Sequence, residues 1–474
     1  MKILRAAVSA IVVLCFFLSF GAAIGAAQQP FTIEQIMGAP FADSLIAAKA
    51  GNRIAWTINQ QGRRNIFVAE GPDFASRPLT SYNDDDGEEL GELSFDPTGT
   101  TLVYTRGEGK NASGEYANPT SNPAGVQQTV WAVAFSGGAP KKIDEGHSPK
   151  ASKSGWVGYS RAGQIYLANL RGDDKPKQVV VRGHNEPLAW SPDGGRLLFV
   201  SSRGDHGYIG IYDSQSQSVH FLAPTVDSDS DAVWSLDGRR VAFVRQPAVP
   251  RDTPQGYFME PDRPHPWAIW VADAASGEAK EAWKSETTRL AGYPYMAGET
   301  GGGTLNWEAG ETIVFAGEQD GYQHLYSVSA EGGAAKLLTP GNCEVEQWSF
   351  SPDDKTVLFN SNCKDIDRRH TWRVAVQGGN AEQLSQGAGI EWAPTVLADG
   401  KTMSYIGATV TDTGRVFVVK ESGGRPMPLG PDVWAKDFPA GELVTPQAVT
   451  FKAADGVEIH GLRPPCWLAA GQRL

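Results

Sequence analysis

Two stretches decide the fold, LAWSPDGGRLLFV at residues 188–200 and AVWSLDGRRVAFV at residues 232–244. Each carries a short run ending in tryptophan, a Ser-x-Asp-Gly turn and a second run of apolar residues. An Asp-Gly pair between two apolar runs is typical of a β-hairpin. Related stretches occur at residues 93–104, LSFDPTGTTLVY, and at residues 348–359, WSFSPDDKTVLF. The chain is therefore built from repeated hairpins.

The repeat runs along most of the chain. Several copies also carry an outer pair of strands, as at residues 164–170 and 268–273. Four short strands per repeat are typical of one propeller blade. The sequence therefore predicts an all-β propeller of about eight four-stranded blades over residues 30–444. The residues that mark the eight turns are Asn52, Gly99, Gly155, Gly194, Gly238, Gly310, Asp354 and Gly400.

Composition agrees with this fold class and limits the function. The 474 residues include 54 Gly, 30 Pro, 14 Trp and 13 Tyr, which favours turns and aromatic strands over long helices. The net charge of −12 offers no basic surplus for neutralising phosphates, so we expect no nucleic-acid partner. The sequence indicates neither a cofactor nor a metal site, and it leaves the oligomeric state open.

The first 27 residues read as a secretory signal peptide. Lys2 and Arg5 give a positive start, residues 6–20 are apolar, and small residues follow at 21–27. The alternative is an uncleaved membrane anchor, although the apolar stretch is shorter than the roughly 20 residues that span a bilayer. We expect a periplasmic or secreted protein with no stable membrane insertion after cleavage of the signal.

Cysteine positions agree with export. Cys343 and Cys363 lie almost equally far on either side of the hairpin turn at residues 353–354. Antiparallel pairing would bring their sulfur atoms together, so we predict a cross-strand disulfide; two free thiols are the alternative. Cys466 would be left unpaired.

No catalytic motif is present in the sequence. The nearest approach to a Gly-x-Ser-x-Gly nucleophile turn is GYSRAG at residues 158–163, which has one residue too many and reads as a hairpin. No His-Glu-x-x-His helix or phosphate-binding loop occurs. The acidic run NDDDGEE at residues 83–89 suggests calcium, but its spacing does not match an alternating-ligand loop, and it reads better as a capped turn. We predict no catalytic residue in this chain.

The repeat ends before residues 451–461, FKAADGVEIHG, which read as a strand, an Asp-Gly turn and a second strand. Together with PFTIEQIM at 30–37, RNIFVAE at 64–70, DDGEEL at 85–90 and NPTSNPAG at 118–125, this segment resembles the prolyl oligopeptidase family of serine peptidases. The similarity is to the N-terminal propeller of the dipeptidyl peptidase IV branch, and it covers most of the mature chain.

The resemblance implies that residues 445–474 hold the first strands of an α/β-hydrolase domain that carries Ser, Asp and His. Residues 462–467, LRPPCW, depart from the family pattern, so a frameshift or a truncated gene would explain the tail. We therefore expect a propeller that admits peptide substrates to a serine exopeptidase or oligopeptidase in the full-length parent. The fragment alone would be inactive.

Candidate substrate contacts lie near two long insertions, residues 108–126 in the second repeat and 246–266 in the fifth. Insertions in a propeller lie in loops on one face, where substrates bind. Arg106, Glu260 and Arg263 could face a cavity there; a solvated loop is the alternative. The family's pair of adjacent glutamates has no evident equivalent.

Two other function classes remain open. A stand-alone periplasmic propeller could serve as a protein-binding module, since the fold does not determine the function. Residues 445–461 argue against this reading, because such a module would not need them. A propeller enzyme with a metal in its channel is the third reading, and the sequence lacks an evident set of inward carboxylates and histidines for it.

Overall fold

The computed structural model describes residues 31–111, 115–116, 125–248, 265–294, 304–420, 424–430 and 438–463. The predicted signal peptide, Glu260, Arg263 and Cys466 lie outside these ranges. Within them, no helix is long and apolar enough to cross a membrane. The described helices are short: α1 (Ile33–Met37) and a 3-10 turn at Arg289–Ala291.

The strands form eight consecutive units, each an antiparallel meander of four strands. Units four and five also share one parallel bridge, between Gly207 and Ser228. Units one to four comprise β1 (Phe41–Ala47), β2 (Arg53–Gln60), β3 (Arg63–Glu70), β4 (Arg77–Pro78); β5 (Leu90–Phe95), β6 (Thr101–Arg106), β7 (Thr129–Ala134), β8 (Lys141–Glu145); β9 (His147–Ala151), β10 (Trp156–Arg161), β11 (Gln164–Asn169), β12 (Lys177–Val180); and β13 (His184–Trp190), β14 (Arg196–Ser202), β15 (Gly207–Asp213), β16 (Ser218–Phe221).

Units five to eight repeat this plan, and a separate two-stranded hairpin follows them. The units comprise β17 (Ser228–Trp234), β18 (Arg240–Gln246), β19 (Ala268–Asp273), β20 (Ala279–Lys284); β21 (Leu305–Glu308), β22 (Thr312–Gly317), β23 (His324–Ser329), β24 (Lys336–Leu337); β25 (Val345–Phe350), β26 (Thr356–Ser361), β27 (His370–Ala375), β28 (Glu382–Gln383); and β29 (Ile390–Val396), β30 (Met403–Thr409), β31 (Asp412–Val419), β32 (Met427–Pro428). The hairpin pairs β33 (Gln447–Lys452) with β34 (Glu458–Arg463).

The Ser-x-Asp-Gly sequence closes the first turn of a unit through side-chain hydrogen bonds. In unit five, Ser235 Oγ donates to Asp237 Oδ1 at 2.7 Å and accepts from the backbone N–H of Arg240 at 2.9 Å. Gly238 follows with a φ of 70°, a left-handed conformation that glycine adopts without steric cost. Units four and seven make the same serine bonds, with Ser191 and Ser351. The recurring sequence thus fixes a recurring turn.

In the part of the chain that the structure describes, eight hydrophobic clusters join the units, each formed by two neighbours. Between units four and five, for example, Ile209 and Ile211 pack with Val241 and Phe243. The ring closes because unit one packs on unit eight in the same way, with Trp56 in one cluster with Val416. A closed ring of packed four-stranded meanders is a propeller, which confirms the predicted all-β propeller fold. The remaining seams follow the same rule.

The meander gives the ring two distinct faces. The first strand of each unit is the inner strand, and first strands contact one another around the centre, except between units six and seven. The turn face holds the turns between first and second strands. The connection face holds the turns between second and third strands and the links between units. The described ends of both insertions, the described residues just before β1 and those just after β32 therefore lie on the connection face.

Candidate functional site

Arg106 ends β6 on the connection face, beside the first insertion. Its guanidinium lies 4.4 Å from the ring centre of Tyr82 and forms ion pairs with Asp86 and with Glu88, the latter at 2.9 Å from Nη1 to Oε2. The Tyr82 hydroxyl is 2.8 Å from that of Tyr104, and burial raises the pKa of both tyrosines. Arg106 is therefore held in place rather than solvated, and its contact with a substrate stays a prediction.

The acidic run at residues 83–89 is neutralised by arginines of two units. Besides the pairs of Arg106, Arg64 of unit one lies 2.9 Å from Glu89 and 4.0 Å from Asp85. Asp86 Oδ1 also accepts from the backbone N–H of Glu88, which closes the turn. Among the residues that the structure describes, no group of three metal-binding side chains occurs here or elsewhere. The run acts as a charged seam between units one and two.

The structure joins Cys343 and Cys363 in a disulfide, with 5.0 Å between their Cα atoms. The bond closes the connection-face end of unit seven, next to the turn that contains Asp367. That turn also contacts the C-terminal hairpin: His460 Nδ1 lies 3.7 Å from Asp367 Oδ2, and its Nε2 lies 3.3 Å from Glu458 Oε1. The hairpin therefore rests on the connection face of unit seven.

Inner strands of units two to four bring charged groups together that the sequence analysis did not single out. Glu92 accepts from the backbone N–H of Ser148 at 2.6 Å, and Glu186 lies 3.5 Å from His147. Burial lowers the pKa of Lys150, while Glu92 and Glu186 oppose that shift. Glu92 lies four residues before Asp96, which opens the turn of unit two, and Glu186 lies five residues before Ser191, which opens the turn of unit four. That offset is the signal that would have found them.

One group of Ser, Glu and His meets in unit seven and its neighbour, but its geometry is wrong for hydrolysis. Ser385 Oγ donates to Glu391 Oε2 at 2.6 Å, and His370 Nδ1 lies 3.0 Å from the same oxygen. A nucleophilic serine needs the histidine as its direct partner. Here the carboxylate lies between them, so the group is a buried structural network. GYSRAG is likewise structural, since β10 and β11 form a hairpin across it.

Large apolar side chains are exposed mainly on the connection face. Only Val219 and Leu236, of those exposed in the described residues, lie elsewhere. Phe451 in the hairpin is 56% exposed, and Ile366 in the neighbouring turn of unit seven is 57% exposed. The segments of these two residues touch through His460 and Asp367, and exposed apolar side chains that adjoin one another mark an interaction site. The others on this face are Phe31, Ile33, Met37, Phe41, Tyr116, Val181, Val226, Leu290, Ile390, Val410, Val444, Val457, Ile459 and Leu462.

Comparison with known proteins agrees with the resemblance seen in the sequence. The family model of the dipeptidyl peptidase IV (DPP IV) N-terminal region matches residues 268–423, which run from β19 through β31. That stretch of the chain is similar to the dipeptidyl peptidase IV N-terminal region. The predicted similarity to propellers of the prolyl oligopeptidase family is thereby confirmed, while a missing catalytic domain stays a prediction.

Solved structures share the propeller fold of this chain. Dipeptidyl peptidase 4 of Porphyromonas gingivalis superposes with a TM-score of 0.61 at 12% identity, over 92% of this chain and 67% of that one. A puromycin hydrolase superposes with a TM-score of 0.52 at 13% identity, over 89% of this chain and 58% of that one.

Two curated relatives match over shorter stretches. The uncharacterized peptidase YuxL of Bacillus subtilis is 24% identical over 197 residues, which are 38% of this chain and 29% of the relative. The uncharacterized protein Atu1656 of Agrobacterium fabrum is 26% identical over 97 residues, 20% of this chain and 32% of the relative. The chain thus spans about a third of the length of each.

Proposed function

We propose that this chain is the substrate-gating propeller of an exported serine-type peptidase that acts on peptides. Peptide-bond hydrolysis would belong to an α/β-hydrolase domain docked on the connection face. The chain by itself would be inactive, and it would reside in the periplasm or outside the cell. The similarity to the dipeptidyl peptidase IV N-terminal region supports the reaction class.

The one-sided distribution of exposed apolar side chains carries this proposal. The turn face presents polar, hydrogen-bonded turns, whereas most of the exposed large apolar side chains lie on the connection face, where the chain enters and leaves the ring. The hairpin of β33 and β34 lies at that exit with both outer edges unpaired in the described residues. Unpaired strand edges and apolar side chains are what a further sheet would cover.

Gating would follow from the closed ring. Because the eight seams are packed, a domain on the connection face is reached through the central opening or around the rim of the ring. Folded proteins would be excluded, and peptides would pass. Arg106, held in a charged cluster on this face, is the described candidate that would contact a substrate.

Sequencing the gene beyond the codon of His460 tests the proposal first. We expect a reading frame that encodes a Gly-x-Ser-x-Gly turn followed by Asp and His. The longer protein should hydrolyse dipeptidyl p-nitroanilides, its serine-to-alanine variant should not, and the present chain should show no hydrolysis. Absence of such a frame, with capture of a folded protein on the connection face, would support the binding-module reading instead.

A further inference from the structure

Among the eight inner strands, as far as the structure describes them, β21 of unit six is the one without a β-bulge. It pairs with β22 in unbroken register from Leu305 to Glu308. Each of the other seven inner strands has a break in register against its second strand. A bulge protects an exposed strand edge from pairing with a further strand. The edge of β21 that faces the central opening lacks this protection.

The pairing pattern identifies the backbone groups of that edge. The N–H of Ala316 in β22 donates to the carbonyl oxygen of Thr304, so this pair is hydrogen-bonded across the two strands. Bonded and non-bonded pairs alternate along an antiparallel ladder, which makes Leu305 and Trp307 non-bonded positions. The N–H of Ala309, two residues further on, likewise points away from β22 and donates to unit seven at 2.9 Å. Because β21 ends its sheet in the described residues, the N–H and C=O groups of Leu305 and Trp307 face the central opening.

Inner edges elsewhere in the ring are capped by the unit before them. Glu92 accepts a hydrogen bond from the backbone N–H of Ser148 in the next unit at 2.6 Å, and Gln347 accepts one from Ala393 at 2.5 Å. No described side chain bonds in this way to the outward backbone groups of β21. Neighbouring inner strands also contact one another, except β21 and β25. The edge of β21 therefore faces a gap in the inner ring between units six and seven.

Across this gap, Trp348 of β25 carries a donor without an acceptor. Its side chain packs in the cluster that joins units six and seven, together with Val314 of β22, and the residue is 8% exposed. Its Nε1 has no hydrogen-bond partner among the described residues. A buried indole N–H usually finds a partner, and a backbone carbonyl is a suitable acceptor. The strand edge and the indole thus both lack partners of the kind that a peptide backbone supplies.

We propose that β21 binds an extended peptide as an added strand in the central opening, between units six and seven. The peptide would pair its backbone with Leu305 and Trp307, and one of its carbonyl oxygens would accept from Trp348 Nε1. Pairing of this kind uses main-chain groups, so it accepts many sequences and requires an unfolded segment. The inference rests on the proposed function only in naming the bound peptide as a substrate on its way through the ring. Binding itself belongs to this chain.

Fluorescence anisotropy of the full chain with a fluorescein-labelled peptide of alternating Thr and Val, blocked at both ends, tests the site. We expect saturable binding. The same peptide with every backbone amide N-methylated should bind about tenfold more weakly or worse, because N-methylation removes the donors and leaves the side chains. Equal affinity for the two peptides, or binding of neither, would overturn the proposal. Neither result bears on the hydrolase domain, which the reading frame beyond the codon of His460 tests.

Two matched tryptophan variants locate the peptide. Trp348→Phe keeps an aromatic ring and removes the N–H, so it should weaken binding about fivefold, the effect of one hydrogen bond. Trp372→Phe is the control and should leave the affinity unchanged. Trp372 belongs to the same cluster and its Nε1 also has no partner in the described residues, but it lies on the third strand of unit seven, away from the central opening.

Hydrogen–deuterium exchange of the native chain with the same peptide gives an independent readout. Saturating peptide should slow exchange in β21 and leave β13, a bulged inner strand, unchanged. Equal weakening of binding in Trp348→Phe and Trp372→Phe, or unchanged exchange in β21, would overturn the site.

Discussion

The two faces of the ring are made by the same strands and differ in their chemistry. On the turn face, serine and aspartate close the turns of units four, five and seven. One turn also bonds to the next, as in the 2.7 Å bond from Arg196 to the carbonyl oxygen of Gly238. The connection face instead carries exposed apolar side chains, a disulfide and a buried ion pair. The repeat therefore fixes the ring through the turn face and leaves the connection face free to acquire function.

The largest effect is expected from breaking the buried ion pair at the connection-face end of unit five. Arg245 Nε lies 2.7 Å from Asp229 Oδ1, and both side chains are almost fully buried. Arg245→Met should lower the free energy of unfolding by about 3–5 kcal/mol, because it strands a buried carboxylate. Urea unfolding measures this. The double variant with Asp229→Leu should recover most of the loss.

The pH dependence of Arg245→Met gives a second check. Burial raises the pKa of Asp229, and Arg245 opposes this, so its removal leaves the raised pKa uncompensated. A carboxyl whose pKa is raised on folding loses stability as pH rises above its unfolded value. The loss in the free energy of unfolding of Arg245→Met, relative to the native chain, should therefore grow from pH 4 to pH 7. A loss below about 1 kcal/mol in the free energy of unfolding at pH 7 would mean that the pair contributes little to stability.

The disulfide is expected to have the next largest effect. Cys363→Ser opens a bond between residues 20 positions apart, which should cost about 3 kcal/mol if the bond acts mainly by constraining the unfolded chain. The measurement is the unfolding midpoint with and without a reducing agent. The reducing agent should lower the unfolding midpoint of the native chain and leave that of the variant unchanged. A native chain that does not respond to reduction would contradict the pairing.

The sequence predicted the ring better than the site, for a physical reason. Turn residues such as Asp237 and Gly238 act within a few residues of chain, so the sequence alone predicts their turns. Unit one is a small exception, because Gly51 rather than the predicted Asn52 has the positive φ. The charges near Lys150 come from three units, and only the closed ring brings them together. Arg106 was singled out, but its stacking on Tyr82 depends on a tertiary contact that no local pattern contains.

A smaller effect is expected on the turn face. Ser235→Ala removes one hydrogen bond to Asp237 and one from the backbone of Arg240. We expect the free energy of unfolding, measured with urea, to fall by about 1 kcal/mol, which is the net contribution of a typical hydrogen bond. The effect stays local because the other seven units keep their own turns. Leu236→Ser in the same turn is the control and should stay within about 0.5 kcal/mol of the native chain. An equal loss in both variants would assign the effect to the turn backbone instead of the serine.

The smallest change in stability is expected for variants of the hairpin on the connection face, which are compared with a variant on the turn face. The double variant Phe451→Ser with Ile459→Ser removes exposed apolar side chains. Its free energy of unfolding should therefore stay within about 0.5 kcal/mol of that of the native chain. Self-association, measured by sedimentation velocity, should fall, because apolar side chains beside unpaired strand edges promote contacts between chains. Leu236→Ser on the turn face should leave association unchanged. A loss of stability above about 1 kcal/mol would place the hairpin in the core of the ring, and the connection face would then be a structural surface rather than a docking one.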